Sequence, residues 1–209
     1  MTIAQALIAF AAAATLLSIT PGVDTALVLR TAATGGVRRA SFAALGIAFG
    51  CLAWGAAVSL GLGALLAASE LAFTALKWMG AAYLLWLGIH LITKPRGALS
   101  VEPAPGAGGD ARGALVRGFL SNILNPKVGV FYVTFLPQFV PAGVSVAGFS
   151  FLLACIHVVL GMLWFALLIA ATIPLGRLLA RPRVIRALDR ITGGVFIAFG
   201  IRLALARQH

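Results

Sequence analysis

The amino-acid sequence predicts an all-α integral membrane protein: six transmembrane helices arranged as two inverted three-helix repeats. Three observations lead there. Of the 209 residues, 61% are hydrophobic and only 10% charged, where a soluble domain carries roughly 25% charged residues. Apolar stretches of about 20 residues, long enough to cross a bilayer, recur along the whole length. Three of these stretches also repeat in order between the two halves of the chain. Residues 1–209 then form one transmembrane domain, with a first repeat over 1–93, a cytoplasmic linker over 94–113 and a second repeat over 114–209.

The first span is expected over about 3–29, interrupted by Pro21-Gly22 and ending at Arg30. It has no positive n-region of the kind that marks a cleaved signal peptide, so it is expected to stay. A short turn over Thr34 to Arg39 leads to the second span, about 41–68. Its small residues, including Gly46-x-x-x-Gly50, let helix backbones approach closely. Glu70 marks a tight turn into the third span, about 71–93, where Lys77 can snorkel and Trp78 and Trp86 suit an interface. The Pro/Gly-rich stretch from Lys94 to Gly113 cannot bury a core and reads as a mobile linker.

The fourth span is expected over about 114–139, broken at Asn125-Pro126-Lys127. The uncharged stretch from Pro137 to about Val144 separates it from the fifth, about 145–173. An arginine-rich gap precedes the sixth, about 184–205, where Asp189 reads as a surface ion pair with Arg186 and Arg190.

The formal charge of +11 does not point to nucleic acid, because basic residues fall between the apolar spans. Twelve of the sixteen lie in gaps one, three and five: Arg30 to Arg39, Lys94 to Arg117 and Arg177 to Arg190. Cytoplasmic segments carry the basic excess, so both termini are expected outside. Cys51 and Cys155 lie within spans and show neither a CxxC nor a ligand spacing. No zinc site, other metal or cofactor is indicated.

The repeat is read from three matches. Thr20-Pro21 resembles Asn125-Pro126, Leu52-Ala53-Trp54 resembles Met162-Leu163-Trp164, and Leu76 to Leu91 resembles Leu188 to Leu203. Each half holds an odd number of spans, so the halves enter the membrane in opposite directions. Inverted repeats with a broken helix in each are the sequence pointer to a secondary transporter, with its site where the breaks meet near mid-depth.

A proline inside a helix leaves the carbonyl four residues back without its donor, here those of Leu17 and Asn122. In hydrocarbon such groups must be met by protein or by water in a cavity. Asp24 and Lys127 stand beside the two breaks. A carboxylate at span centre costs about 2.5–3.5 kcal/mol on insertion scales, so it needs a partner or a role. Asp24 is therefore a candidate proton carrier and ammonium ligand, with an N-cap of the half-helix after Pro21-Gly22 as its plain structural alternative. Lys127 is the candidate for a carboxylate or for Asp24 itself. Asn122, Asn125 and Thr20 complete the candidate substrate and proton site, with Pro21, Gly22 and Pro126 as the helix breaks. His157 is balanced between packing and proton relay. Tyr83 reads as packing, with a hydroxyl able to reach a cavity.

These residues resemble the LysE/RhtB amino-acid exporters. The resemblance rests on Thr20-Pro21-Gly22-Val23-Asp24-Thr25, the Gly-rich second span ending in Trp54, Gly80-Ala81-Ala82-Tyr83-Leu84, Asn125-Pro126-Lys127 and Phe135-Leu136-Pro137-Gln138-Phe139. It covers essentially the whole chain. It implies no enzyme but a six-span exporter of amino acids or close derivatives, driven by the proton gradient across the bacterial cytoplasmic membrane. The implied partners are the amino acid, protons and the lipid bilayer, with no nucleic acid; a homo-oligomer is compatible with it. The chain departs from the family pattern at Val23, where a second proline often stands, and at Cys51, where an acidic residue is frequent. The rival readings are a membrane thiol–disulfide electron carrier of related architecture and an ion or metal exporter on the same fold.

Overall fold

The computed structural model describes residues 1–68, 70–95, 110–172, 178 and 181–205. Among these, every regular element is helical. Helix α1, Ile3–Ile19, starts on a capping box: the Gln5 N–H donates to the Thr2 hydroxyl and the Thr2 N–H to the Gln5 side chain. Thr20, Pro21 and Gly22 separate it from α2, Val23–Ala68. At about 1.5 Å per residue, the 46 residues of α2 are more than twice the hydrocarbon thickness of about 30 Å. Its continuity is interrupted inside by Gly36, at φ 75° and ψ 176°, a conformation glycine adopts without the steric penalty of a Cβ. The turn expected over Thr34 to Arg39 is thus reduced to one residue.

Helix α3 is Glu70–Thr93; the turn expected at Glu70 abuts residue 69, outside the described residues. Most of the linker, residues 96–109, also lies outside them, as do 173–177, 179–180 and 206–209. Helix α4, Ala111–Ile123, begins on Asp110, whose carboxylate accepts the Gly113 N–H at 2.8 Å. The span expected over 114–139 is broken at Asn125-Pro126-Lys127, as read from the sequence. After Leu124 and Asn125 comes α5, Pro126–Val130, continued by a π turn over Phe131–Phe135 and a 3-10 turn over Leu136–Phe139. Helix α6 is Val146–Ala170, N-capped by Ser145, and α7 is Pro182–Leu205.

By length and hydropathy Val23–Gly61 and Val146–Ala170 can each cross a membrane, and Ile3–Ile19 and Ala81–Thr93 are shorter apolar helices. The outer surface is apolar as well: Ile8, Leu60, Trp86, Val159 and Leu163 are all more than half exposed. A continuous outer face of this kind suits lipid. Several hydroxyls along the helices bond to carbonyls of their own turn, as Ser18 does to Ala14, Thr31 to Leu27 and Thr134 to Val130. No water is needed to satisfy them.

Helix α2 packs chiefly on α4 and α6, and α3 on α7. Glycines set both crossings. A Cβ on Gly46 would overlap the Leu115 carbonyl, and one on Gly118 the Ala43 carbonyl, so the α2 and α4 backbones touch, as the Gly46-x-x-x-Gly50 spacing predicts in part. In the other crossing, Gly88 meets Gly193 and Ile197 while Gly200 meets Ala81 and Leu85. The two sets of partners run in opposite order, so α3 and α7 are antiparallel. Between these pairs lies an aromatic core in which Phe135 stacks on Phe131 (4.9 Å between centroids), meets Phe199 edge-on (4.4 Å) and tilts against Phe139 (5.0 Å), and Phe10 meets Phe139 edge-on (5.4 Å).

Candidate functional site

The two helix breaks meet. Asp24 occupies the second position of α2, where unpaired N–H groups favour negative charge. It is not the N-cap. Its side chain turns across to α4, where it accepts a hydrogen bond from the Ser121 hydroxyl at 3.2 Å and another from the Asn122 amide at 2.9 Å. The capping alternative is therefore set aside: the carboxylate serves partners 97 and 98 residues away.

Asn122 is 1% exposed. Its Nδ2 also donates to the Cys51 thiol at 3.4 Å, and its Oδ1 is buried with no hydrogen-bond partner among the described residues. Reversing the amide would set that oxygen against the Asp24 carboxylate, so the hydrogen-bond network fixes its orientation. A Cβ on Gly50 would lie 2.6 Å from Oδ1. Gly50 thus makes room for Asn122 rather than for a helix backbone.

The second break satisfies itself locally. Pro126 has no N–H for the Asn122 carbonyl, and the Asn125 N–H takes that acceptor at 3.0 Å. The Asn125 side chain then accepts the Lys127 N–H at 3.1 Å as the N-cap of α5. Lys127, in the first turn of α5, lies close enough for its charge to act on both Asp24 and His157.

Thr20, Asp24, Asn122, Asn125 and Lys127 line one cleft, and Gly22 and His157 contribute to its wall. The cleft offers about 70 Å³ to the centres of water molecules. One water needs roughly 10–15 Å³, so the space admits several waters or a small polar molecule. Pro21 lies between α1 and α2, and Pro126 opens α5. His157 is buried, and its Nδ1 lies 2.9 Å from the Tyr132 hydroxyl, with the ring against Phe131. Packing and contact with the cleft coincide at this residue. Tyr83 does not line the cleft. It packs at a tilt against Trp86, 5.6 Å between centroids, and lines a separate groove open to the outside.

Two features escaped the sequence reading. Asp189 is not a surface residue; it is fully buried. It falls with Ile185, Thr192 and Phe196, all buried, on one stripe of α7 at helical spacing. The flanking Arg186 and Arg190 concealed that periodicity. Thr192, one turn on, shares a short hydroxyl–hydroxyl hydrogen bond with Thr20 at the end of α1, which ties the first break to α7.

A helical protein with an apolar exterior, and an acid and a base facing one cleft between two broken helices, has the form of a membrane translocator. The family described as "LysE type translocator" matches residues 15–207. The chain belongs to this family, whose members are transporters and not enzymes. It is 30% identical to the uncharacterized membrane protein YrhP of Bacillus subtilis, over 97% of this chain and the whole of that one. It is 34% identical to the homoserine/homoserine lactone efflux protein of Salmonella typhimurium, over 96% of each. With the leucine efflux protein of Enterobacter sp. it shares 29% identity, over 89% of each chain. No solved structure matches it.

Proposed function

We propose that the protein exports amino acids or close derivatives across the bacterial cytoplasmic membrane in exchange for protons. One observation carries this reading: a carboxylate and an ammonium, Asp24 and Lys127, face the same small cleft between two helix breaks. A zwitterion needs both. Its carboxylate goes to Lys127, and its ammonium goes to Asp24 in place of the Ser121 and Asn122 donors. When the ammonium leaves, Asp24 takes a proton from the far side and the cleft returns to the cytoplasm. A membrane potential contributes about 2.3 kcal/mol per charge per 100 mV, enough to drive appreciable uphill export. The efflux proteins among the relatives support the substrate class and the direction.

The same reading takes the chain as six spans in two inverted repeats, with both termini outside. The contacts between α3 and α7 favour it. Shifting each partner by the sequence offset between Gly88 and Gly200 converts the Gly88–Gly193 contact into Gly200–Ala81, and Gly88–Ile197 into Gly200–Leu85. A twofold relation between the halves gives this exchange of partners. The thiol carrier gains no support, because Cys51 is a buried acceptor for Asn122. Nor does a metal exporter: among the described residues no three His, Cys, Asp or Glu side chains converge.

The test is efflux from preloaded proteoliposomes under an imposed proton gradient. Asp24→Asn and Lys127→Ala should each lower export by at least about tenfold, the effect of one charged interaction. Export at the parent rate by both variants would overturn the site.

A further inference from the structure

Where α4 begins, its contact with α2 ends in a groove open to the outside, lined by Gly35, Arg38, Arg39, Phe42, Asp110 and Arg112. Asp110 is the one acid among these lining residues, and its carboxylate already accepts the Gly113 N–H as the cap of α4. Arg39 lies back along Gly35, where a Cβ would come within 3.0 Å of its side chain. The Arg39 Nε is buried with no hydrogen-bond partner among the described residues. Three guanidinium groups thus share one space with a single, committed carboxylate.

Past the arginines the same flank turns apolar. Arg38, Phe42, Leu45 and Phe49 follow one another along α2, and Arg112, Val116 and Leu120 along α4, at the i+3 and i+4 spacings of one helix face. Leu45, Phe49, Val116 and Leu120 are exposed. The two helices run parallel here, since Ala43 meets Gly118 and, further on, Gly50 meets Asn122. At 3.6 residues per turn, the α2 stripe lies roughly 100° to one side of the line of contact and the α4 stripe about as far to the other. For parallel helices these are the same flank of the pair.

We propose that this groove is a binding site for a phosphate group, carried by an anionic phospholipid of the surrounding membrane. A guanidinium fork can pair with two phosphate oxygens at once, and basic pockets between membrane helices suit such headgroups. The acyl chains continue along Phe42, Leu45 and Phe49 on one helix and Val116 and Leu120 on the other. A free phosphate would meet the same arginines and leave that apolar track unused, so the track favours the lipid. The proposal is independent of what the protein transports. A lipid seated there bridges α2 and α4, and α4 carries the Ser121 and Asn122 that hold Asp24.

The experiment counts ligand on the purified full-length protein in detergent by native mass spectrometry, during titration with phosphatidylglycerol, phosphatidylcholine or inorganic phosphate. Phosphatidylglycerol should bind saturably and more tightly than phosphatidylcholine. Arg39→Gln and Arg112→Gln should each weaken it on the order of tenfold, the effect of one hydrogen bond to a charged group. Arg112 is exposed, so its variant reads binding even where Arg39→Gln disturbs folding. Arg183→Gln removes the same charge from an exposed position on α7 and should leave binding unchanged. Leu45→Gln should weaken the lipid alone. Equal binding of the two lipids, or as large a loss in Arg183→Gln as in Arg112→Gln, would overturn the site. Lipid binding unaltered by Leu45→Gln, or inorganic phosphate held as tightly as phosphatidylglycerol, would overturn the lipid as its occupant.

Discussion

Asn122 binds Asp24 and Cys51 through one amide while Gly50 gives way to its oxygen, so its loss should be felt at the carboxylate. A hydrogen bond to a charged group is worth about 1.5–3 kcal/mol. Asn122→Ala should therefore lower export roughly 10–100-fold with the protein still inserted and folded, as efflux at matched protein content would check. Gly50→Ala should mimic it, because the new methyl meets the Asn122 side chain. Gly61→Ala is the control, since nothing lies within 4 Å of that position. Parent-like export by Gly50→Ala would show that Asn122 has slack to move. Asp24 and Lys127 were legible from the sequence because charge within an apolar run demands a reason. Their partners were not, since contacts 97 and 98 residues apart leave no local periodicity. Asp189 misled for a related cause: its arginine neighbours looked like solvent, while the stripe with Ile185 and Thr192 placed it inside.

At the level of elements, glycine decides how near the helices come. Gly118→Leu would drive a side chain into the Ala43 backbone of α2, and overpacking of this kind costs about 1–3 kcal/mol. It should lower the thermal midpoint of the purified protein in detergent. Gly36→Ala should cost a similar 1–3 kcal/mol, about the strain of a non-glycine residue at φ 75°; its Cβ would meet nothing within 4 Å, so the backbone alone is at fault. A midpoint unchanged by both substitutions would mean that these junctions relax freely. The prolines announced both breaks in the sequence. The π turn over Phe131–Phe135 was not read there, although Pro137 in the turn that follows offers no N–H to the Val133 carbonyl inside it. Helix α5 starts at the expected break of Asn125-Pro126-Lys127, and the two turns after it end the span in place of a regular helix.

For the whole molecule, the proposed orientation has a direct check. A periplasm-active reporter fused after His209 should be active and one inserted in the linker inactive; the reverse pattern would invert the assignment. The family, the helical class and the membrane setting were all readable from composition and motif, because hydropathy and paired breaks survive in one dimension. That α3 and α7 pack against one another is visible only once the helices are assembled. One feature governs whether such a machine can hold a gradient at all. Beyond the Tyr132 hydroxyl and His157, Phe10, Phe131, Phe135, Phe139 and Phe199 form a packed aromatic cluster. Under the proposed proton exchange, such hydrocarbon is a poor conductor of ions, so cargo and current should be unable to slip past one another. Replacing Phe135 with serine should short-circuit it, visible as dissipation of a pH difference in liposomes that contain no amino acid.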